Sequence, residues 1–325
     1  MAGALVGCDK GAADAPSVVV YCSVDQEIAE PVLADFDRAG AARAVPRFDT
    51  EASKTVGLVQ RLRAHAARPE ADVFWSGEVF HTIRLADEGL LDPLPADAIP
   101  ADWPADLVGD QRTWAGFALR MRVVAWHTGR VKADEAPASL EDLLDAKWRG
   151  RLVMARPEFG TTCGHVASWF VHYGPERAEA ILRGLKANEV RLVDGNSTAV
   201  RLVGTGQADL CLTDTDDVYA AQRNSWPVAM SMLDHGGAGA LAIPNTVARV
   251  RGGPNPAGAD ALVRLLLSAE TERALAASTS HNTPVHAAVA AEFPQYACPK
   301  RMDVDYAAVA RAIPQAIDAV RRILY

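Results

Sequence analysis

The sequence predicts a two-lobed α/β protein, each lobe a mixed, mostly parallel sheet flanked by helices, with two crossing strands as the hinge. Three observations lead there. β-branched apolar runs alternate with helically spaced apolar residues in the order βαβαβ. That order occurs twice, once between Val18 and Glu78 and again between Leu152 and Asp217. A chain of 325 residues, 49% hydrophobic and 23% charged, is also long enough for two cores.

Val18-Val19-Val20-Tyr21 reads as a strand, and Ser23 offers an N-cap before a helix from Gln26 to Arg38 carrying Ile28, Val32, Leu33 and Phe36. A strand from Ala44 to Phe48 leads through Asp49-Thr50-Glu51-Ala52-Ser53 to a helix with Val56, Val59 and Leu62. Ala71-Asp72-Val73-Phe74-Trp75 is the third strand and ends at Ser76-Gly77-Glu78. In the second half, Leu152 to Met154 is a strand, Gly160-Thr161-Thr162 opens a helix, and another helix spans Pro175 to Ala187. Val190 to Val193, a short helix after Asn196-Ser197, and the strand Ala208 to Leu212 complete the repeat. Gly116 to His127 and the Gly-rich Leu233 to Ile243 are the crossings between lobes. Helices at Ala257–Leu267 and Glu270–Ala277 return to the first lobe, and Tyr306 to Leu324 is a terminal helix interrupted at Pro314. The expected layout is a leader remnant and spacer at 1–17, lobe 1 at 18–118, lobe 2 at 119–235, a return to lobe 1 at 236–285, and helices on lobe 2 at 286–325.

A net charge of -8 without any Lys/Arg block argues against a nucleic-acid partner. No apolar stretch approaches the roughly 20 residues of a membrane-spanning helix. The five cysteines show neither a C-x-x-C nor a metal-like spacing, and Cys22 and Cys211 sit in apolar strand runs. Cys8 differs: Leu5-Val6-Gly7-Cys8, followed by a polar spacer, resembles the bacterial lipobox, in which the Cys is lipidated. The segment before it is shorter than a signal peptide, so the expectation is a truncated leader and a lipid anchor.

The candidate site begins at Thr213-Asp214-Thr215-Asp216-Asp217, acids placed at the C-terminal end of a buried strand, where open α/β sheets hold ligands. A plain acidic helix start is the alternative, because Thr and Asp are good caps. Glu78 lies at the corresponding strand end of the first repeat. Gly160-Thr161-Thr162 offers helix-start amides and hydroxyls to an anion, or simply caps its helix. Asp49, Glu51, Lys54, Trp75, Asp214 and Tyr219 are possible cleft-lining residues, and Ser23 and Ser76 stand at strand ends beside them. His165 and His235 could act as bases, but no nucleophile elbow, phosphate loop or dinucleotide fingerprint accompanies them, so an enzyme is not expected.

Val19-Val20-Tyr21-Cys22-Ser23, Ala71 to Glu78, Glu88-Gly89-Leu90-Leu91, Ser139 to Leu143, Lys147 to Arg151 and Asn196-Ser197 together resemble the solute-binding proteins of ABC importers, of type II periplasmic-binding-protein fold. The branch they are most similar to is that of the ferric-iron-binding proteins. The resemblance implies a metal site at Asp25, Glu78, Asp216 and Asp217 and an anion site at Gly160, Thr161 and Thr162 with Asn196 and Ser197 nearby. Where that branch carries a His and a pair of tyrosines, this chain has Asp25 and Asp216-Asp217, so the anion half is retained and the metal half rewritten. Carboxylates still suit iron(III) and other hard cations. Clustered acids call for a positive partner, with Lys54 and Arg120 as available counter-charges. The implied solute is a metal ion, iron(III) first, with carbonate or phosphate; a phosphorylated or amine-bearing metabolite is the alternative, and a hydrolase or transferase on the same fold a remoter one. The implied partners are an ABC permease with its ATPase, and the implied place is the periplasm or cell surface, as a lipid-anchored monomer.

Overall fold

The computed structural model describes residues 16–49, 55–234 and 236–325. Cys8, Glu51, Lys54 and His235 lie outside the described residues. The first repeat forms β1 (Ser17–Cys22), α1 (Gln26–Ala39), β2 (Arg43–Phe48), α2 (Val56–Ala64), β3 (Val73–Ser76), α3 (Phe80–Asp87) and the short β4 (Leu91–Asp92). The long strand β5 (Ala115–His127) leads to the second repeat: β6 (Leu152–Ala155), α4 (Gly160–His172), α5 (Pro175–Ala187), β7 (Arg191–Val193), α6 (Asn196–Gly204), β8 (Leu210–Asp214), α7 (Thr215–Arg223) and β9 (Val228–Met232). β10 (Ala242–Val250), α8 (Pro256–Leu266), α9 (Ala269–Ala277), α10 (Ala287–Glu292) and α11 (Tyr306–Leu324) complete the chain.

One curled mixed sheet runs β2-β1-β3-β10-β5-β8-β6-β7, with β4 added on β10 and β9 on β5. Within each repeat the strands are parallel, β1 to β2 and β3, and β6 to β7 and β8, as βαβ crossovers require. β5 joins the halves: it pairs with β10 as far as Met121 and with β8 from Arg122. The C-terminal ends of both parallel sets therefore face each other across β5, and the cleft lies there.

Three features depart from the sequence expectation. β8 continues through Thr213 and Asp214, which pair with Val123 and Arg122, so Asp214 belongs to the sheet and not to a loop. β10 reaches Val250 through Pro244; the missing donor is tolerated because the register shifts between Pro244 and Asn245. Pro314 does not interrupt the terminal helix. It is exposed, while Tyr306, Val309, Ile313, Ala316 and Val320 bury one continuous face, and that packing outweighs one lost backbone bond.

The two halves also touch behind the cleft, where α4 passes the start of α3. A Cβ added at Gly164 would lie 1.8 Å from the buried Phe80 ring. Gly164→Ala is therefore expected to destabilise by about 1–3 kcal/mol through overpacking. A thermal midpoint equal to that of the parent chain would contradict this.

Candidate functional site

The facing strand ends enclose a cleft of about 360 Å³. Ser23, Asp25, Gly77 and Glu78 line it from the first half, Arg120 and Asn245 from the central strands, and Gly160, Thr161, Thr162, Asn196, Ser197, Asp214, Asp216 and Asp217 from the second half. Most of the residues singled out in the sequence thus come together. Ligand oxygens of Asp214, Asp216 and Asp217 lie within 4.8 Å of one another.

The acids have unequal environments. Asp214 is buried and ion-paired to the fully buried Arg122 at 2.8 Å. It also accepts from the Thr161 hydroxyl at 2.6 Å and the Asn196 amide at 3.1 Å. Arg122 reaches Thr161 at 3.2 Å and donates to His165 Nδ1 at 3.2 Å. Burial pushes the Asp214 carboxyl up, but Arg122, Arg120 and Thr161 outweigh it and hold the group below the usual carboxylate range. This is a closed network, and it occupies the hydroxyls of Thr161 and Thr162, the latter bonded to Asn196. What α4 and α6 offer the cleft is therefore their first-turn amides, since neither N-cap residue, Phe159 or Gly195, supplies a capping side chain.

Asp216 is placed differently. One oxygen pairs with Arg120 at 3.1 Å; the other, Oδ1, is buried with no hydrogen-bond partner, as is Nε of Arg120. Burial first, and then the charge of Asp214, push the Asp216 carboxyl up despite Arg120. Arg120 also donates to the Gly77 carbonyl. Asp217 accepts from the Thr213 hydroxyl at 2.9 Å. Asp25 sits at the N-cap of α1, with its backbone carbonyl starting that helix.

Glu78 borders the cleft, yet its carboxylate caps α3: it accepts from the Phe80 amide at 2.7 Å and lies 3.0 Å from His81 Nδ1. Burial pushes it up, and His81 with the two amides brings it below its ordinary value. Ser76 is buried behind the wall, bonded to Ser23 and Glu78, and does not line the cleft. Trp75 is fully buried against Phe117 and is a core residue. Asp49 turns away to accept from the Leu58 amide at the start of α2. Tyr219 packs edge-on against His281 and Tyr296, outside the cleft lining. His165 is buried; desolvation and then Arg122 hold its pKa well below the ordinary value, so it is a neutral acceptor for Arg122 and not a base in the cleft.

Arg122 is the residue the sequence reading missed. Its signal was present: Arg120 and Arg122 alternate within an otherwise apolar run, and a buried guanidinium needs a carboxylate.

These shifts have a sign. Groups with lowered values (Asp214, Glu78 and Asp209, the last held by Arg151 and Arg130 against its burial) contribute stability that is complete above about pH 4 and lost as pH falls through their folded values. Asp216, Glu272 and Asp234, whose values are raised chiefly by burial, work in the opposite sense, but the lowered carboxylates, Glu88 and Asp142 among them, outnumber these three. The thermal midpoint is expected to fall steeply below about pH 4; a flat profile between pH 7 and pH 3 would contradict the assignment.

The profile described as bacterial extracellular solute-binding protein matches residues 69–309. The chain belongs to this family of solute-binding proteins. Among curated relatives, iron uptake protein A1 of Synechocystis is 28% identical over 71% of this chain and 66% of its own length. The major ferric iron-binding protein of Neisseria meningitidis is 26% identical over 85% and 82%. A Salmonella typhi periplasmic protein named for 2-aminoethylphosphonate is 27% identical over 66% and 63%. The crystal structure of iron-bound HitA from Pseudomonas aeruginosa superposes with a TM-score of 0.80 at 23% identity, covering 95% of this chain and 99% of that one. The two-lobed fold expected from the sequence is thereby established, and the solute-binding protein takes its place in a non-catalytic, extracellular family.

Proposed function

We propose that this solute-binding protein is the substrate-binding component of an ABC importer, capturing a small solute between its lobes and delivering it to a membrane permease with its ATPase. The lobes are residues 18–118 with 236–285, and residues 119–235, with 286–325 packed on the second. The reading rests on one observation: Oδ1 of Asp216 and Nε of Arg120, neighbours across one ion pair in the cleft, are both buried without partners. Each such atom is costly unless an occupant satisfies it. The occupant brings a cation or donor to Asp216 and an acceptor to Arg120.

The first candidate is a hard metal cation, iron(III) above others, held by Asp25, Asp216 and Asp217, with carbonate or phosphate against the first-turn amides of α4 and α6. Carboxylate oxygens suit such an ion, and the relatives named for iron support it. Glu78 is left on the rim, because its oxygens already cap α3. A second reading, an amine-bearing phosphorylated or phosphonate solute, is favoured by the pairing of Asp214 and Asp216 with Arg122 and Arg120, and by the lack of any tyrosine among the described cleft residues. An ammonium needs fewer uncompensated acids than iron(III).

Capture proceeds by population shift: a solute contacted by both lobes favours the closed form by its differential affinity. The protein acts at the periplasmic or cell surface as a monomer, with Cys8 as its lipid anchor. Calorimetric titration with ferric citrate and with 2-aminoethylphosphonate tests the reading. Binding of either at one site per chain supports it and selects the solute class; binding of neither, together with no bound mass on protein from the native host, removes it.

A further inference from the structure

Asn245 on β10 and Asn282, after α9, line the cleft and stand outside the network of acids and arginines. Both are buried, at 4% and 3% exposure. They flank β5 from opposite sides. Asn245 pairs with Phe117, and Thr283, the residue after Asn282, exchanges both backbone bonds with Leu119 at 2.8 Å. The segment of β5 between them leads directly into Arg120.

Each asparagine commits one atom of its amide to the protein and leaves the other. Asn245 Nδ2 donates to the Ala118 carbonyl, and Asn282 Oδ1 accepts from the Ser280 hydroxyl at 2.7 Å. The Ser280 hydroxyl is held in turn by that of Ser278 at 2.8 Å. These bonds fix how the two amides sit, and among the described residues nothing meets Asn245 Oδ1, an acceptor, or Asn282 Nδ2, a donor. Arg223 on α7 closes the same stretch of lining from the second lobe, donating to the Thr279 carbonyl.

We infer that Asn245 and Asn282 form a subsite for the hydroxylated part of an organic solute, so that the cargo is a hydroxyl-bearing organic phosphate or phosphonate. The inference rests on the capture of a solute in this cleft and selects between the two solute classes. A hydroxyl both donates and accepts, and so serves Asn245 Oδ1 and Asn282 Nδ2 alike. A metal ion or an ammonium offers nothing to Nδ2, and a fully ionised phosphate or carbonate nothing to Oδ1. Buried polar atoms left unmet are costly, so the occupant that meets both is favoured. The cleft volume of about 360 Å³ agrees, since pockets for organic ligands run from roughly 300 to 1,000 Å³.

The test is calorimetric titration of the full chain with two pairs of probes that differ in their hydroxyls: 2-aminoethylphosphonate against its 1-hydroxy analogue, and propyl phosphate against glycerol 3-phosphate. Iron(III) with inorganic phosphate is the third arm. The hydroxylated member of at least one pair is expected to bind at least about 10-fold more tightly, because a site built to bond a hydroxyl rejects the analogue that lacks it. Asn282→Leu, which keeps the size and removes the donor, is expected to bring that pair within about 3-fold while melting close to the parent. The comparison of probes on the parent chain does not depend on how the variant folds. Equal affinities within each pair, a preference unchanged in Asn282→Leu, or binding of iron(III) with phosphate but of no organic probe overturns the subsite and leaves the importer reading standing. Binding in none of the arms removes both.

Discussion

Replacing Arg122 by alanine is expected to lower stability by about 3–5 kcal/mol, because it leaves the Asp214 carboxylate buried and uncompensated. It also strips the Thr161 hydroxyl and His165 Nδ1 of a donor. The midpoint of thermal unfolding falls on the order of 4–7 °C. Asp214→Ala alone fails for the mirror-image reason, an unpaired guanidinium with no access to water. The pair Arg122→Met with Asp214→Leu recovers most of the loss, since well-packed apolar replacements of a buried ion pair are often neutral. A single Arg122→Ala variant that melts with the parent would show that the charge is solvated after all.

The second large effect falls on capture. Asp216→Ala with Asp217→Ala is expected to weaken solute binding by at least on the order of 10²-fold, the usual consequence of removing one side of a desolvated charge contact. The fold survives: Asp216 carries a raised pKa, so its ionised form is already disfavoured by the folded surroundings, and Asp217 accepts from the Thr213 hydroxyl at the start of α7, a bond that water can replace. The contrast with Asp214 is the useful part. Acids two and three residues apart in sequence are expected to separate into a structural member, whose loss melts the protein, and two members proposed to face the ligand, whose loss empties it.

The fold was legible because each of its signals is local. Val18 to Tyr21, Ala71 to Trp75 and Leu152 to Met154 are apolar runs of strand length, and the helices between them carry their buried residues at helical spacing. β10 was harder to read past Ile243, because Pro244 has no amide to give a ladder and only the register shift between Pro244 and Asn245 lets the strand continue. Pro314 misled for a related reason: a breaker is recognised by its own chemistry, whereas the face that overrides it is assembled by α3, α4 and α5.

Of the site, strand-end positions were readable and orientations were not. Asp216, Asp217, Gly160, Asn196 and Ser197 lie where strand ends and helix starts should put ligand contacts. Glu78, Ser76 and Asp49 stand at equally suggestive points, but their oxygens serve the backbone of their own neighbourhood. Whether a carboxylate caps a helix or faces a cleft depends on side-chain direction, on which sequence spacing is silent. Trp75 and Tyr219 went to core and to an aromatic cluster for the same reason.

Asp216 and Asp217 are proposed to hold the solute. Native mass spectrometry with elemental analysis, on the chain purified from its own host, tests it most directly. The parent protein is expected to carry a bound metal ion with its anion, or a small organic mass, and the Asp216→Ala, Asp217→Ala variant is expected to carry neither while melting close to the parent. The same bound species on the double variant, in the same amount, would contradict the claim.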